Sequence, residues 1–69
     1  MGMARYMVTI RYSDSLYPNA HFFNEPYLAN KFYYDWREVY KNPNEAKIQL
    51  WKLSDDGFQW NLKLSNDNA

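Results

Sequence analysis

Residues 23–41 read FNEPYLANKFYYDWREVYK, and this stretch decides the fold. Its apolar positions recur at helical spacing, so that Phe32 and Trp36 lie one turn apart on the same face. Asn24 can cap the first turn, and Pro26 stands at a helix start, where a proline removes no needed hydrogen bond. The stretch therefore predicts an amphipathic helix whose core face consists of Leu28, Ala29, Phe32, Trp36, Val39 and Tyr40.

Strand patterns lie on both sides of this helix. Residues 5–12 alternate between apolar and polar faces, as a half-buried strand does, and residues 20–23 predict a short second strand. Residues 46–53 and 58–64 predict the third and fourth strands. The simplest assembly is β-β-α-β-β, a small α+β domain with an antiparallel sheet in the order 2-1-3-4 and one helix packed on one face. The helix is expected to bury Phe32 and Trp36 against Val8, Ile10 and Leu62.

The turn at residues 54–57, Ser-Asp-Asp-Gly, decides which face the fourth strand presents. A type I turn with its glycine at positive φ makes a three-residue loop. That loop pairs Leu50 with Leu62 and places Phe58, Trp60, Leu62 and Leu64 under the helix. Trp51 and Leu53 then point to the open face. A two- or four-residue loop would instead bury Trp51 with Leu53.

The composition is that of a small aromatic-rich domain. The 69 residues form a single domain, 1–69, in which the polar residues 65–69 are expected to be a frayed tail. Seven Tyr, four Phe and three Trp are more rings than so small a core can enclose. Some of these rings should therefore lie at the surface, where Tyr and Trp favour interfaces.

Several functional classes are excluded or disfavoured by the sequence. There is no Cys, so neither a disulfide framework nor a thiolate metal site can form, and a cytoplasmic location is expected. No apolar run approaches the ~20 residues of a membrane span, and the N-terminus lacks the apolar core of a signal peptide. Eight basic residues balance eight acidic ones, which disfavours a dedicated nucleic-acid-binding domain.

The open sheet face is the main candidate site. It combines a tryptophan with other apolar side chains and basic groups, and no acid is predicted on it. Trp is enriched among the residues that dominate binding energy. The predicted partner-binding residues are Arg5, Met7, Arg11, Lys47, Trp51, Leu53 and Lys63.

A protein partner is the leading hypothesis for this face, and a homodimer through the sheet is a second. The alternative is a single-stranded nucleic acid, stacked on Trp51 among the basic residues. Tyr27 and Tyr34 are seven residues apart on one helix stripe and form a secondary candidate contact patch. The competing and slightly favoured interpretation of these tyrosines is packing of the helix flank over the sheet margin.

Nothing in the sequence indicates an enzyme, a cofactor or a metal site. His21 is the sole histidine, and no nucleophile or acid pattern accompanies it. Asp55 and Asp56 are explained by turn chemistry, because the spaced acids of a calcium loop are absent. The size and the β-β-α-β-β pattern are compatible with phage accessory proteins that bind a host factor, a fold-level analogy. The expected function is therefore a protein-interaction module, an inhibitor or adaptor, acting in the cytoplasm, including that of a virus-infected host cell.

Overall fold

Five elements follow one another in the computed structural model, which describes residues 4–67. They are β1 (Tyr6–Tyr12), β2 (Asn19–Phe23), α1 (Pro26–Val39), β3 (Ala46–Leu53) and β4 (Trp60–Ser65). The strands form one antiparallel sheet in the order β2-β1-β3-β4, and α1 packs on one face against β1, β2 and β3. The predicted fold class and strand order are confirmed.

The two central strands supply most of the core. Val8 pairs with Leu50 and Ile10 with Ile48, and all four side chains are buried on the helix side of the sheet. β-branched and branched aliphatic residues suit this position because they pack well on a pleated surface. Burial of Val8 and Ile10 is as predicted.

The helix begins one residue later than its predicted cap. Glu25 is the N-cap, no side chain bonds to the first turn, and Pro26 opens the helix as predicted. The Asn24 cap prediction is therefore wrong. The Ala29 N–H donates to the Glu25 carbonyl oxygen at 3.3 Å, so the backbone supplies the first helical hydrogen bond.

The buried face of α1 is rotated from the predicted one. Ala29 is buried and Tyr33 is 1% exposed, whereas Leu28 is 43% and Val39 is 65% exposed. The prediction that Leu28 and Val39 belong to the core is wrong. Ala29 has a small side chain, so the helix can approach the sheet most closely there, and Tyr33 follows one turn later. Phe32, Trp36 and Tyr40 are only partly buried against the core.

An array of aromatic rings fills the margin between helix and sheet. Trp36 and Tyr40 are stacked with centroids 5.9 Å apart, and Tyr40 meets Tyr12 edge-on at 5.6 Å. Burial raises the pKa of the Tyr12 phenol, and the neighbouring Tyr40 phenol raises it further. His21 packs on Phe32 at 4.8 Å, which gives this lone histidine a packing role. The rings thus extend a small aliphatic core.

The β3–β4 loop is longer than predicted. The Gly57 N–H donates to the Ser54 carbonyl, and the Ser54 N–H donates to the Gln59 carbonyl, so four residues separate the last bonded pair. Asp56 accepts hydrogen bonds from the Ser54 hydroxyl and the Phe58 N–H, which hold Phe58 in the loop and lower the pKa of Asp56. The predicted three-residue loop is wrong, although Gly57 has the predicted positive φ of 78°.

The longer loop reverses the face of the sheet on which each side chain in the first half of β4 lies. Trp60 pairs with Leu53 and Leu62 pairs with Trp51, so Trp60 and Leu62 lie on the face away from α1. The prediction that they lie under the helix is wrong, and so is the prediction that Leu62 packs on Phe32 and Trp36. A register shift then leaves Lys63 as an extra residue between two paired positions. Such a bulge reverses the side-chain alternation, which returns Leu64 to the core.

The end of β4 is held to the helix and to β3. The Asn66 amide donates to the carbonyl oxygens of Tyr40 at 3.2 Å and Ala46 at 2.9 Å, and its oxygen accepts from the Ile48 N–H at 3.0 Å. Ser65 is the last residue of β4. The prediction of a frayed tail is therefore corrected for residues 65–67, and residues 68–69 lie outside the described part of the chain.

Replacing Gly57 tests the turn geometry. A Cβ at this position would meet no heavy atom within 4 Å, so the positive φ alone disfavours a side chain. We expect Gly57→Val to lower the free energy of unfolding by at least ~1 kcal/mol, and Gly57→Asn to cost less because Asn tolerates positive φ. Urea denaturation followed by circular dichroism measures both. Equal stability of Gly57→Val and the parent protein would contradict the assigned backbone conformation.

Candidate contact groove on the open sheet face

The open face is the sheet surface turned away from α1. The paired strands β1 and β3 form the centre of this face. Met7 pairs with Trp51, Thr9 with Gln49, and Arg11 with Lys47. Residues that pair directly across an antiparallel ladder point to the same face. Five of the predicted site residues therefore share this face as expected: Arg5, Met7, Arg11, Lys47 and Trp51.

Two predicted site residues do not fit the expected surface. Leu53 belongs to the open face but is only 4% exposed, so its side chain is not free for a partner. Lys63 is exposed as the extra residue of the β4 bulge, and it pairs with no residue of β3. Gln59 and Asn61 alternate with the β4 residues that were predicted under the helix, and they were therefore expected on the open face. The shifted register displaces both, since Asn61 pairs with Lys52 and Gln59 lies in the loop.

The sequence analysis did not predict the aromatic wall of the site, which Trp60 and Phe22 form. Trp60 lies on the open face beside Leu53, and its ring centroid is 6.0 Å from that of Phe22, which pairs with Met7 on the other side of β1. Trp60 and Phe22 thus approach each other across the two central strands, and Leu53, which pairs with Trp60, is only 4% exposed. The alternative of a four-residue loop gives the observed pairing of Trp60 with Leu53, but it was combined with burial of Trp51 and Leu53 under the helix, and that expectation is wrong.

These side chains enclose a groove of about 480 Å³ along β1. It is lined by Met7, Thr9, Arg11, Pro18, Ala20, Gln49, Trp51 and Trp60. From Met7 to Arg11 the floor spans four residue-to-residue steps, or roughly 13 Å at the rise of a strand. Ala20, on β2, has a small side chain, whereas Trp51 and Trp60 carry large rings. This difference in size among the lining side chains makes the site concave. Concave apolar surfaces with a few polar groups are typical binding sites.

The indole of Trp51 is fixed in the groove floor. Its Nε1–H donates to Oγ1 of Thr9 at 2.9 Å, and the Thr9 side chain is itself buried. A buried hydroxyl without a partner would cost free energy, so each group satisfies the other. Trp51 is therefore half-buried and preorganised, with one ring surface left toward the groove.

The charge of the face is more balanced than predicted. Lys47 Nζ lies 2.9 Å from an Asp67 carboxylate oxygen, and Arg5 lies 3.7 Å from Asp55. Hydrogen bonding from Ser65 and the neighbouring Lys47 lower the pKa of Asp67, which keeps its carboxylate ionised. The predicted face positions themselves carry no acid, but Asp55 in the loop and Asp67 after β4 lie beside two of the basic residues. Arg11, at one end of the groove, has no acidic partner within residues 4–67.

The secondary patch is exposed but lies away from the groove. Tyr27 and Tyr34 are both exposed on α1, and Tyr34 meets the buried Tyr33 ring edge-on at 5.0 Å. Burial raises the pKa of the Tyr33 phenol, with Tyr34 and Asp67 adding to the shift and Arg37 opposing it. Tyr34 thus shields the core margin on one side, while Tyr27 projects near the helix start.

The described part of the chain offers no group of three or more His, Asp or Glu side chains that could hold a metal ion. Within the same residues, no helix is long and apolar enough to span a bilayer. No protein family, curated protein or solved structure matches this chain.

Proposed function

We propose that this protein is a non-enzymatic interaction module that binds another protein through the groove on the open sheet face. The observation that carries this proposal is the concave aromatic surface built on Trp51, Trp60 and Met7. Preorganised aromatic anchors contribute strongly to protein interfaces because they bury much area at little cost in conformational entropy. An inhibitor or adaptor acting on a host protein is the role that this proposal implies.

The groove matches an extended segment of the partner. Its length corresponds to about four strand residues, and its floor is apolar with polar groups at Thr9 and Gln49. Arg11 stands at one end without an acidic partner among the described residues. We therefore expect a segment with apolar side chains for the two tryptophans and an acidic group for Arg11, since a guanidinium pairs well with a carboxylate.

The alternative partner is a single-stranded nucleic acid stacked on Trp51 and Trp60. The charge arrangement favours a protein, because Lys47 and Arg5 each lie beside an acid, and Arg11 is the single basic residue among those that line the groove. Backbone tracking by several unpaired cations is what gives nucleic-acid binders their affinity and steep salt dependence.

Selection from a random dodecapeptide library tests the proposed function. We expect the parent protein to select peptides with apolar and acidic residues, and Ala20→Trp, which fills the groove, to weaken their binding at least tenfold. Trp51→Ala should weaken it similarly, because a desolvated Trp anchor is often worth more than ~2 kcal/mol of binding. Phe58→Ala is the matched control, since Phe58 is an exposed aromatic in the loop outside the groove.

Circular dichroism confirms that each variant is folded, and a twelve-nucleotide oligo-dT probe provides the competing measurement. Equal peptide binding by Ala20→Trp and the parent protein would place the contact surface elsewhere. Oligo-dT binding that weakens steeply with salt, with no peptide selected, would favour the nucleic-acid alternative.

A further inference from the structure

The two edges of the sheet are protected to different degrees. The β4 edge carries the bulge at Lys63, and both a bulge and an edge lysine hinder pairing with another strand. The β2 edge, Asn19–Phe23, pairs with β1 in an unbroken register and contains neither a charged residue nor a proline. Its outer backbone groups are thus presented by a regular, uncharged strand, which is the form of edge that accepts a further strand.

Exposed apolar side chains concentrate around this edge. More than half of the large exposed hydrophobic residues of the described chain fall within or next to β2, namely Leu16, Tyr17, Phe22, Tyr27 and Leu28. Leu16 and Tyr17 lie in the loop before β2, and Tyr27 and Leu28 lie in the first turn of the helix after it. Apolar surface grouped in this way marks an interaction site more often than the same residues scattered singly.

We propose that β2 pairs antiparallel with β2 of a second copy of this chain, about a two-fold axis at His21. Ala20 and Phe22 belong to the open face, because they pair with Thr9 and Met7, whereas His21 pairs with Val8 on the helix side. A two-fold axis at His21 places Ala20 of each copy opposite Phe22 of the other copy, so this pair occurs twice in the interface. Each pair joins a small side chain to a large one on the same face, as a regular ladder requires.

The distribution of apolar residues at both ends of β2 favours a second copy over an unrelated strand. In an antiparallel pair the chain before β2 in one copy runs beside the chain after β2 in the other. The loop residues Leu16 and Tyr17 would therefore lie close to Tyr27 and Leu28 of the second copy. The two-fold axis repeats this contact on the other side, as an isologous interface demands.

The resulting dimer has one continuous eight-stranded sheet. Its axis runs perpendicular to the sheet, so both helices lie on one face and both grooves lie on the other. The protein would present two equivalent grooves side by side, which suits a partner with two copies of the bound segment. The dimer itself does not rest on the proposed function of the groove.

Sedimentation equilibrium with a matched pair of lysine variants tests the dimer. We expect the parent protein to sediment with twice the mass of one chain and Phe22→Lys to weaken dimerisation at least tenfold, because lysine on an edge strand opposes strand addition. Leu62→Lys is the control, since Leu62 has similar exposure on the same face but lies on the other edge strand. Circular dichroism verifies that both variants fold.

Amide hydrogen exchange of the parent protein locates the interface independently. We expect β2 amides to become more protected as the protein concentration rises, whereas β4 amides should not change. A parent protein that stays monomeric at millimolar concentration would overturn the proposal. A dimer that Leu62→Lys disrupts and Phe22→Lys leaves intact would also overturn it, and would place the interface on β4. Protection of the β2 amides that does not change with protein concentration would also overturn the proposal.

Discussion

Tyr33→Ala is expected to cost on the order of 3–5 kcal/mol of unfolding free energy, the usual loss for truncating a buried aromatic ring. Tyr33 is the largest fully buried side chain, and it lies against the sheet one turn after Ala29. A domain of this size has a total stability of about 3–10 kcal/mol, so the variant should be largely unfolded or close to it. Urea denaturation followed by far-ultraviolet circular dichroism measures the loss.

Leu28→Ala serves as the matched control for the orientation of the helix. Leu28 lies within the same helix, belongs to the face predicted from periodicity, and is 43% exposed. We expect it to cost less than about 1 kcal/mol, because surface truncations remove little buried area. A loss for Leu28→Ala as large as that for Tyr33→Ala would show that the helix packs through the face predicted from the sequence.

Asn66→Ala should produce the second-largest loss of stability, about 2–3 kcal/mol. Its side chain makes three part-buried hydrogen bonds, to the Tyr40 and Ala46 carbonyls and from the Ile48 N–H. Alanine would leave these three backbone groups without their partner, and a net cost near ~1 kcal/mol for each is typical. The bonds tie the helix end to β3 and β4, so the loss should lower the midpoint of a single cooperative transition.

Asn61→Ala is the control for this prediction. Asn61 lies on β4, the strand that ends just before Asn66, and its side-chain oxygen accepts one exposed hydrogen bond, from Gln59. We expect a change within about 0.5 kcal/mol, because water replaces such a bond readily. If Asn66→Ala and Asn61→Ala lower the free energy of unfolding equally little in urea denaturation, residues 65–67 do not hold the helix end to the sheet. The frayed-tail prediction would then be restored.

The sequence predicted the elements of this fold because their signals are local. Alternation over residues 5–12 identified β1, and the period of residues 23–41 identified the helix with Pro26 at its start. The strand order followed from chain direction and short connections, which leave few antiparallel arrangements of four strands and one helix. Trp51 lies on the open face as predicted, but the loop argument used to place it there was wrong, since the four-residue loop did not bury it. Its pairing with Met7 in β1 decides its side of the sheet.

The spacing of the apolar residues could not decide how the helix is rotated about its own axis. Leu28, Phe32 and Val39 form one apolar stripe, and Ala29, Tyr33 and Tyr40 form another beside it. The predicted face joined the first stripe to Ala29 and Tyr40 and left out Tyr33. Both stripes satisfy the helical period, so the choice depends on which one fits the sheet. Close approach at the small Ala29 selected the second stripe, which brought Tyr33 into the core and left Val39 exposed.

The composition and local patterns determined by themselves that this is an aromatic-rich α+β domain with a half-covered sheet. Only the tertiary structure decided what the uncovered face carries. One extra loop residue, held by the Asp56 side chain, moved Trp60 and Leu62 onto that face, and the bulge at Lys63 returned Leu64 to the core. A strand has a side-chain period of two, so one residue of register reverses every side chain, and no local pattern of alternation records that choice.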